Sequence, residues 1–187
     1  MRGHFITFEG GEGSGKSTHA ATLAQRLKSL GIEVVLTREP GGSTGAEVIR
    51  HILLSGIAKP LGAETEAILF AAARDDHLRT TIRPAVAAGK WVICDRFIDS
   101  TRVYQGALGK VDARLIRGLE RVTVGDAMPD LTFLLDVPAT VGLAREHHLD
   151  VHRHEPLCEQ ARMGGLAAAF AAFEGDESSA HLVLSRR

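Results

Sequence analysis

Cysteine is almost missing from this chain of 187 residues; Cys94 and Cys158 make no disulfide framework, so free thiols in a reducing cytoplasm are the expectation. Long apolar runs are missing too: no stretch approaches the roughly 20 residues that cross a bilayer, and the first residues do not read as a signal peptide. Charge of one sign is equally scarce. A formal net charge of −1, with 24% charged residues, argues against a general electrostatic grip on nucleic acid. No internal repeat or low-complexity linker divides the chain, and 44% hydrophobic residues are enough for an independent core, so one domain over 1–187 is expected. Lysine is rare beside arginine, 5 against 17. Guanidinium forks suit phosphate recognition, although a biased genomic base composition produces the same preference.

What the chain does contain begins with Gly10-Gly11-Glu12-Gly13-Ser14-Gly15-Lys16-Ser17, followed by Thr18. It fits G-x-x-x-x-G-K-[ST], the loop that cradles the phosphates of nucleoside triphosphates. Phe5-Ile6-Thr7-Phe8 reads as a buried strand before it, and Ala20, Leu23, Ala24, Leu27 and Leu30 recur behind it at helical spacing. Glycines let backbone N–H groups turn inward around phosphate oxygens, and the helix start adds partial positive charge. Lys16 then reaches the terminal phosphates, and the Ser17 hydroxyl is offered to magnesium. A glycine-rich turn alone matches such a pattern by chance. With strand and helix flanking it, a nucleoside triphosphate is the expected ligand.

Short β-rich runs alternate with helical patterns, which predicts an α/β fold: a five-stranded parallel sheet flanked by helices. Strands are predicted at 4–9, 32–37, 91–95, 131–136 and 181–184. Helices are predicted at 16–30, 45–55, 64–88, 112–124, 138–147 and 157–174, with Pro84 bending or shortening the long one. Runs such as Trp91-Val92-Ile93-Cys94 are apolar throughout rather than alternating, as strands covered on both faces are. In such sheets, ligands bind outside the carboxyl ends of the strands. Four polar segments fall there: the phosphate loop, Arg38-Glu39-Pro40-Gly41-Gly42, Asp95-Arg96-Phe97, and Asp136.

Asp95 ends an apolar strand, where triphosphate enzymes hold a magnesium-organising carboxylate, and Arg96 puts a cation on the same rim for a transferring or acceptor phosphate. The pair would equally cap the next helix, and the two roles are compatible. Arg38 to Gly42 reads either as a plain turn or as part of the site. Phe70 and Arg74 lie four apart and share a helix face, where a ring and a guanidinium could hold a nucleobase. On pattern alone, a core ring and a surface cation explain them better.

Taken in order, several segments resemble the bacterial thymidylate kinases (dTMP kinases) over about residues 4–146. They are Phe8-Glu9-Gly10 with the loop, Thr37-Arg38-Glu39-Pro40-Gly41-Gly42, and Ile68-Leu69-Phe70-Ala71-Ala72-Ala73-Arg74. Asp95-Arg96-Phe97-Ile98-Asp99-Ser100 follows, through Tyr104-Gln105-Gly106, then Pro129-Asp130-Leu131-Thr132 to Leu135-Asp136-Val137-Pro138. The resemblance implies a P-loop nucleoside-monophosphate-kinase fold and phosphorylation of dTMP to dTDP with ATP and Mg²⁺, for dTTP synthesis, by a homodimer; composition adds the expectation of a cytoplasmic protein without nucleic-acid or membrane partners. It reverses the reading of two residues: Phe70 is implied to stack on thymine and Arg74 to contact the base. Arg96 is implied on the dTMP phosphate, Tyr104 under the deoxyribose, and Thr101 and Gln105 near the thymine edge. Glu12 is implied near the acceptor 3′-hydroxyl and Arg145 beside the donor adenine. Arg38, Glu39 and Ser100 complete the expected acceptor rim, while Gly10, Gly11, Glu12, Gly13, Ser14, Gly15, Lys16, Ser17 and Thr18 are expected on the donor phosphates. Ser17 and Asp95 are the expected metal-holding pair.

Beyond residue 146 the pattern departs. The family's relatives with an acidic loop residue supply catalytic arginines from a lid reading close to Asp-Arg-x-Glu. Here the lid, about 146–162, reads Leu149-Asp150-Val151-His152-Arg153-His154-Glu155, with two extra residues before the arginine. Arg153 is the expected catalytic arginine, alongside Lys16 and Arg96, and Arg162 is the competing register. Arg102 stands where the family usually has a small residue, and no closing helix follows Leu182-Val183-Leu184. His147, His148, His152 and His154 lack the Cys or carboxylate partners of a zinc site, and a solvated lid explains them better. The alternatives are a kinase of another nucleoside monophosphate and a catalytically weak nucleotide-binding homologue with a degenerate lid.

Overall fold

The computed structural model describes residues 2–136 and 181–185. Its sheet has β1 (Phe5–Gly10) at the centre, between β3 (Trp91–Asp95) and β4 (Leu131–Asp136). β2 (Val34–Arg38) lies outside β3, and β5 (His181–Ser185) lies outside β4. The first four strands run parallel, with Phe8 level with Asp95 on one side and Phe133 on the other. β5 runs antiparallel to β4, Val183 opposite Leu134, which corrects the expected all-parallel sheet. An apolar run says that a strand is covered, not which way it points, and an edge strand bonds along one side in either direction.

Alternate residues of β1 and β3 feed two cores, as the pleat requires. Ile6, Phe8, Trp91 and Ile93 meet Leu131, Phe133 and Leu135 of β4 under Ala20, Leu23, Ala24 and Leu27 of α1 (Lys16–Ser29). Phe5, Val92 and Cys94 face the other way, against Leu78, Ile82, Phe97, Ile98 and Val124. Thr7, a polar side chain buried mid-strand on β1, is satisfied across the sheet by Thr132 at 2.9 Å. Leu30 leaves the predicted stripe: α1 stops at Ser29, Gly31 turns back at φ 79°, and Leu30 is 61% exposed.

α2 (Thr44–Leu54) and α3 (Ala63–His77) pack against each other, joined through a 3₁₀ turn at Lys59–Leu61, and His77 at the end of α3 reaches Thr37 of β2. The long helix predicted over 64–88 is broken into α3, a π-helical turn at Leu78–Ile82, and α4 (Arg83–Ala87). Pro84 has no N–H to return to residue 80, so the backbone widens before it and restarts as a helix with proline near its start. A helical stretch absent from the sequence reading follows β3: α5 (Ile98–Thr101) continuing as a π turn over Arg102–Leu108. Its Asp, Ser, Thr and Gly content favours turns and caps, and its apolar residues keep no 3.6 period. α6 (Ala113–Thr123) then packs against α3, with Ala67, Val111 and Ile116 as a third small core. The expected helices 138–147 and 157–174, the lid, Arg145, Arg153, Arg162, the four lid histidines and Cys158 lie outside the described residues.

Candidate active site

The glycine-rich loop and the polar segments after β2 and β3 meet where β1, β2 and β3 end. β1 delivers Gly10 at φ 140°, where a side chain would strike the Leu135 carbonyl, and Gly15 at φ 83° starts α1. Lys16 is buried, its Nζ donating to Gly11 O at 2.5 Å and to Ser14 Oγ at 3.3 Å. Desolvation, reinforced by the Arg96 cation, lowers the Lys16 pKa to about 8. Glu12 and Thr18 are exposed.

That pKa makes a prediction for phosphate binding. A triphosphate needs the ammonium and raises its pKa on binding, so protons are taken up where the free protein has lost them. Affinity for ATP should be constant below about pH 8 and fall above it. Titrations from pH 7 to pH 10 on the wild type and on Lys16→Ala check this. A flat wild-type profile would show that Lys16 carries no such proton.

Ser17 Oγ donates to Asp95 Oδ2. The other oxygen, Asp95 Oδ1, is buried with no hydrogen-bond partner among the described residues. A buried, unpaired carboxylate oxygen beside a serine hydroxyl suits a hard cation that takes only one or two protein oxygens and the rest from phosphates and water. Magnesium fits these residues.

Arg74 is 3% exposed. Its Nε donates to Glu39 Oε2 at 2.7 Å, its Nη2 to Thr101 Oγ1 at 2.9 Å and to Phe97 O at 3.3 Å, and it lies over the Phe97 ring at 5.2 Å. Glu39 is buried, and its second oxygen pairs with fully buried His77 at 3.4 Å, whose other nitrogen meets Thr37 Oγ1 at 2.8 Å. Both Glu39 oxygens thus have protein partners, and this carboxylate supports Arg74. Arg38 is exposed and paired with Glu47 at 3.1 Å. Phe70 shares the α3 face of Arg74, half-buried and in none of the three cores. Gln105 is buried on the π turn.

Arg96 adopts φ 70°, a left-handed conformation rare outside glycine. Its Nη1 donates to Ser100 Oγ at 3.2 Å, and its guanidinium lies over the Tyr104 ring at 5.4 Å. The sequence reading assigned no role to Glu9 or His77, and Arg50 escaped it altogether. Glu9 is buried and accepts from Phe97 N, Ser100 N and Ser100 Oγ, while burial raises its carboxyl pKa. Arg50 on α2 donates to Pro40 O at 2.6 Å. The sequence signals for Glu9 were a carboxylate between an apolar strand and a glycine, and its place in the Phe8-Glu9-Gly10 segment of the resemblance. Arg102, the residue out of pattern, leaves the rim: it clamps Glu120 of α6 with two bonds of 2.7 Å and Asp99 with one of 2.8 Å.

Residues 8–161 match the family model described as Thymidylate kinase. A thymidylate kinase of Bradyrhizobium sp. (strain BTAi1) is 64% identical over 144 residues, 77% of this chain and 64% of that protein. One from Afipia carboxidovorans is 65% identical over 144 residues, 77% of this chain and 63% of that protein. The chain thus spans a little under two thirds of the length of these curated relatives. Among solved structures, thymidylate kinase from Ehrlichia chaffeensis superposes with a TM-score of 0.66 at 43% identity, covering 72% of this chain and 75% of that one.

Proposed function

The chain belongs to the thymidylate kinase family, and from that premise we propose that it transfers the γ-phosphoryl group of ATP to dTMP, giving dTDP and ADP. The observation that carries the reading is one rim joining a phosphate loop to two arginines suited to an acceptor. Lys16 sits in the loop, and Arg96 and Arg74 are held beside it by Ser100, Glu39 and Thr101. Such transfer needs little covalent work from the protein; positioning and charge neutralisation carry it.

In this reading Gly10 to Thr18 hold the donor phosphates, with Lys16 on the groups that gain charge. Ser17 and Asp95 would hold Mg²⁺, which when bound neutralises phosphate charge. Arg96 takes the dTMP phosphate, Tyr104 closes against the sugar, and Phe70, Arg74, Thr101 and Gln105 surround the base. Glu12 lies toward the acceptor hydroxyl. Arg145 beside the adenine and Arg153 on the transferring phosphoryl rest on the family resemblance. A coupled ADP-release assay with dTMP, dUMP, UMP and thymidine side by side tests the assignment. Turnover should be greatest with dTMP; equal turnover with UMP, or none with any acceptor, would refute it.

Phe70→Ala is expected to weaken dTMP binding by about 1–3 kcal/mol, the scale of one lost base–aromatic stack, with ATP affinity unchanged. A variant that only melts earlier, with dTMP binding intact, would place Phe70 in a structural role.

The working form is proposed as a cytoplasmic homodimer. No helix among the described residues is long and apolar enough to cross a membrane. Val48 and Leu54 on α2, Ile57 and Leu61 beyond it, and Ile68 on α3 are 48–67% exposed, apolar surface that helix-to-helix pairing would bury. Light scattering at micromolar concentration should give about twice the chain mass of 20.0 kDa; the chain mass itself would refute the dimer.

A further inference from the structure

Glu9 is 3% exposed, at the end of β1, immediately before the phosphate loop. A carboxylate in that position must be satisfied by donors, and three converge on it. Phe97 N donates to Oε1 at 2.7 Å and Ser100 N to the same oxygen at 3.3 Å, while Ser100 Oγ donates to Oε2 at 2.7 Å. Phe97 caps α5 without a side-chain bond of its own, so the cap comes from another element, 88 residues away. The preceding residue of β1 completes the hold: Phe8 O accepts the Arg96 N–H at 2.9 Å. Consecutive residues of one strand therefore grip Arg96 on both sides, across the left-handed turn that its φ of 70° makes.

The hydroxyl of Ser100 adds direction. An ionised carboxylate only accepts, so the single Ser100 proton is committed to Glu9, and a lone pair is left for Arg96 Nη1 at 3.2 Å. We infer that Glu9 is a positioning residue for Arg96, holding the start of α5 and orienting Ser100 so that the guanidinium stays aimed at the acceptor phosphate. Glu9 touches no substrate in this role. Because Gly10 follows it, the same strand end sets the donor loop against the acceptor cation. The inference rests on the acceptor reading of Arg96 given above.

Calorimetric titration of the full chain with dTMP and with thymidine isolates the effect, since the two ligands differ by the phosphate alone. In Glu9→Gln the amide donates to Ser100 and reverses the relay, while its oxygen still accepts the backbone donors. Ser100→Ala deletes the relay and leaves both backbone bonds to Glu9 in place. Each should weaken dTMP by about tenfold, the scale of one impaired charge-assisted contact, and change thymidine by less than about twofold. Parallel weakening of both ligands would make Glu9 a merely structural residue and overturn the proposal, as would no change in either. If Glu9→Gln does not fold, Ser100→Ala decides. A wild type that binds thymidine as tightly as dTMP would refute the acceptor reading by a separate measurement, and the proposal with it.

Discussion

Lys16→Ala is expected to lower phosphoryl transfer by about 10³-fold or more while the protein stays folded. The Lys16 ammonium is buried against Gly11 O and Ser14 Oγ, a dry setting in which a charge acts strongly on a group gaining negative charge. Arginine is no substitute, because a planar fork does not fit a loop built around a compact ammonium. The fold should survive, since burial already disfavours the charged form. In the wild type the folded pKa, about 8, lies below the ordinary lysine value of 10.5. Between those values the unfolded chain binds the extra proton, so Lys16 adds stability as pH rises through that window and none below it. Lys16→Ala should lose that rise. Steady-state assays with dTMP, paired with denaturation at pH 7 and pH 10, read both effects. Near-normal turnover would mean that the loop lysine is not catalytic.

At Arg96 the expected result is a separation of stability from activity. Arg96→Ala and Arg96→Gly should both lower kcat/KM for dTMP by about 10²–10³-fold, because in the proposed function the acceptor phosphate loses its cation. Their stabilities should differ in the unusual order. Alanine normally exceeds glycine by about 0.4–1 kcal/mol through the entropy of the unfolded chain. At φ 70° an L side chain costs about 1–2 kcal/mol, so here the glycine variant should be the more stable of the two. Urea denaturation at constant m-value measures the difference. An alanine variant as stable as glycine or more so would show that the backbone relaxes once the guanidinium is gone.

Much of the architecture was legible locally. All five strands fall within two residues of their predicted positions, and Ala20, Leu23, Ala24 and Leu27 form the buried stripe read from their spacing. The loop was equally plain, because glycines, a lysine and a serine in that order build a phosphate cradle from neighbouring residues alone. Phe70 and Arg74 were less so. Their spacing placed them on one face, but ring and guanidinium at such spacing serve a core or a surface equally well, and only the motif around them favoured a base.

Sequence by itself determined the five strands, the helices α1, α2 and α6, the phosphate loop, and the edge of the sheet where polar residues gather, because each follows from periodicity or from adjacent residues. Tertiary structure decided the rest. It set the direction of β5, which an apolar run does not encode, and formed the helix at 98–101 and its π turn, which short-range pattern disfavours. It also chose the partners of the charges. Arg102 went to Glu120 and Asp99, Glu39 to Arg74 across 35 residues, and Glu9 to Phe97 across 88. A buried charge is tolerated only where donors and acceptors converge on it, and that convergence exists only once distant strands have paired.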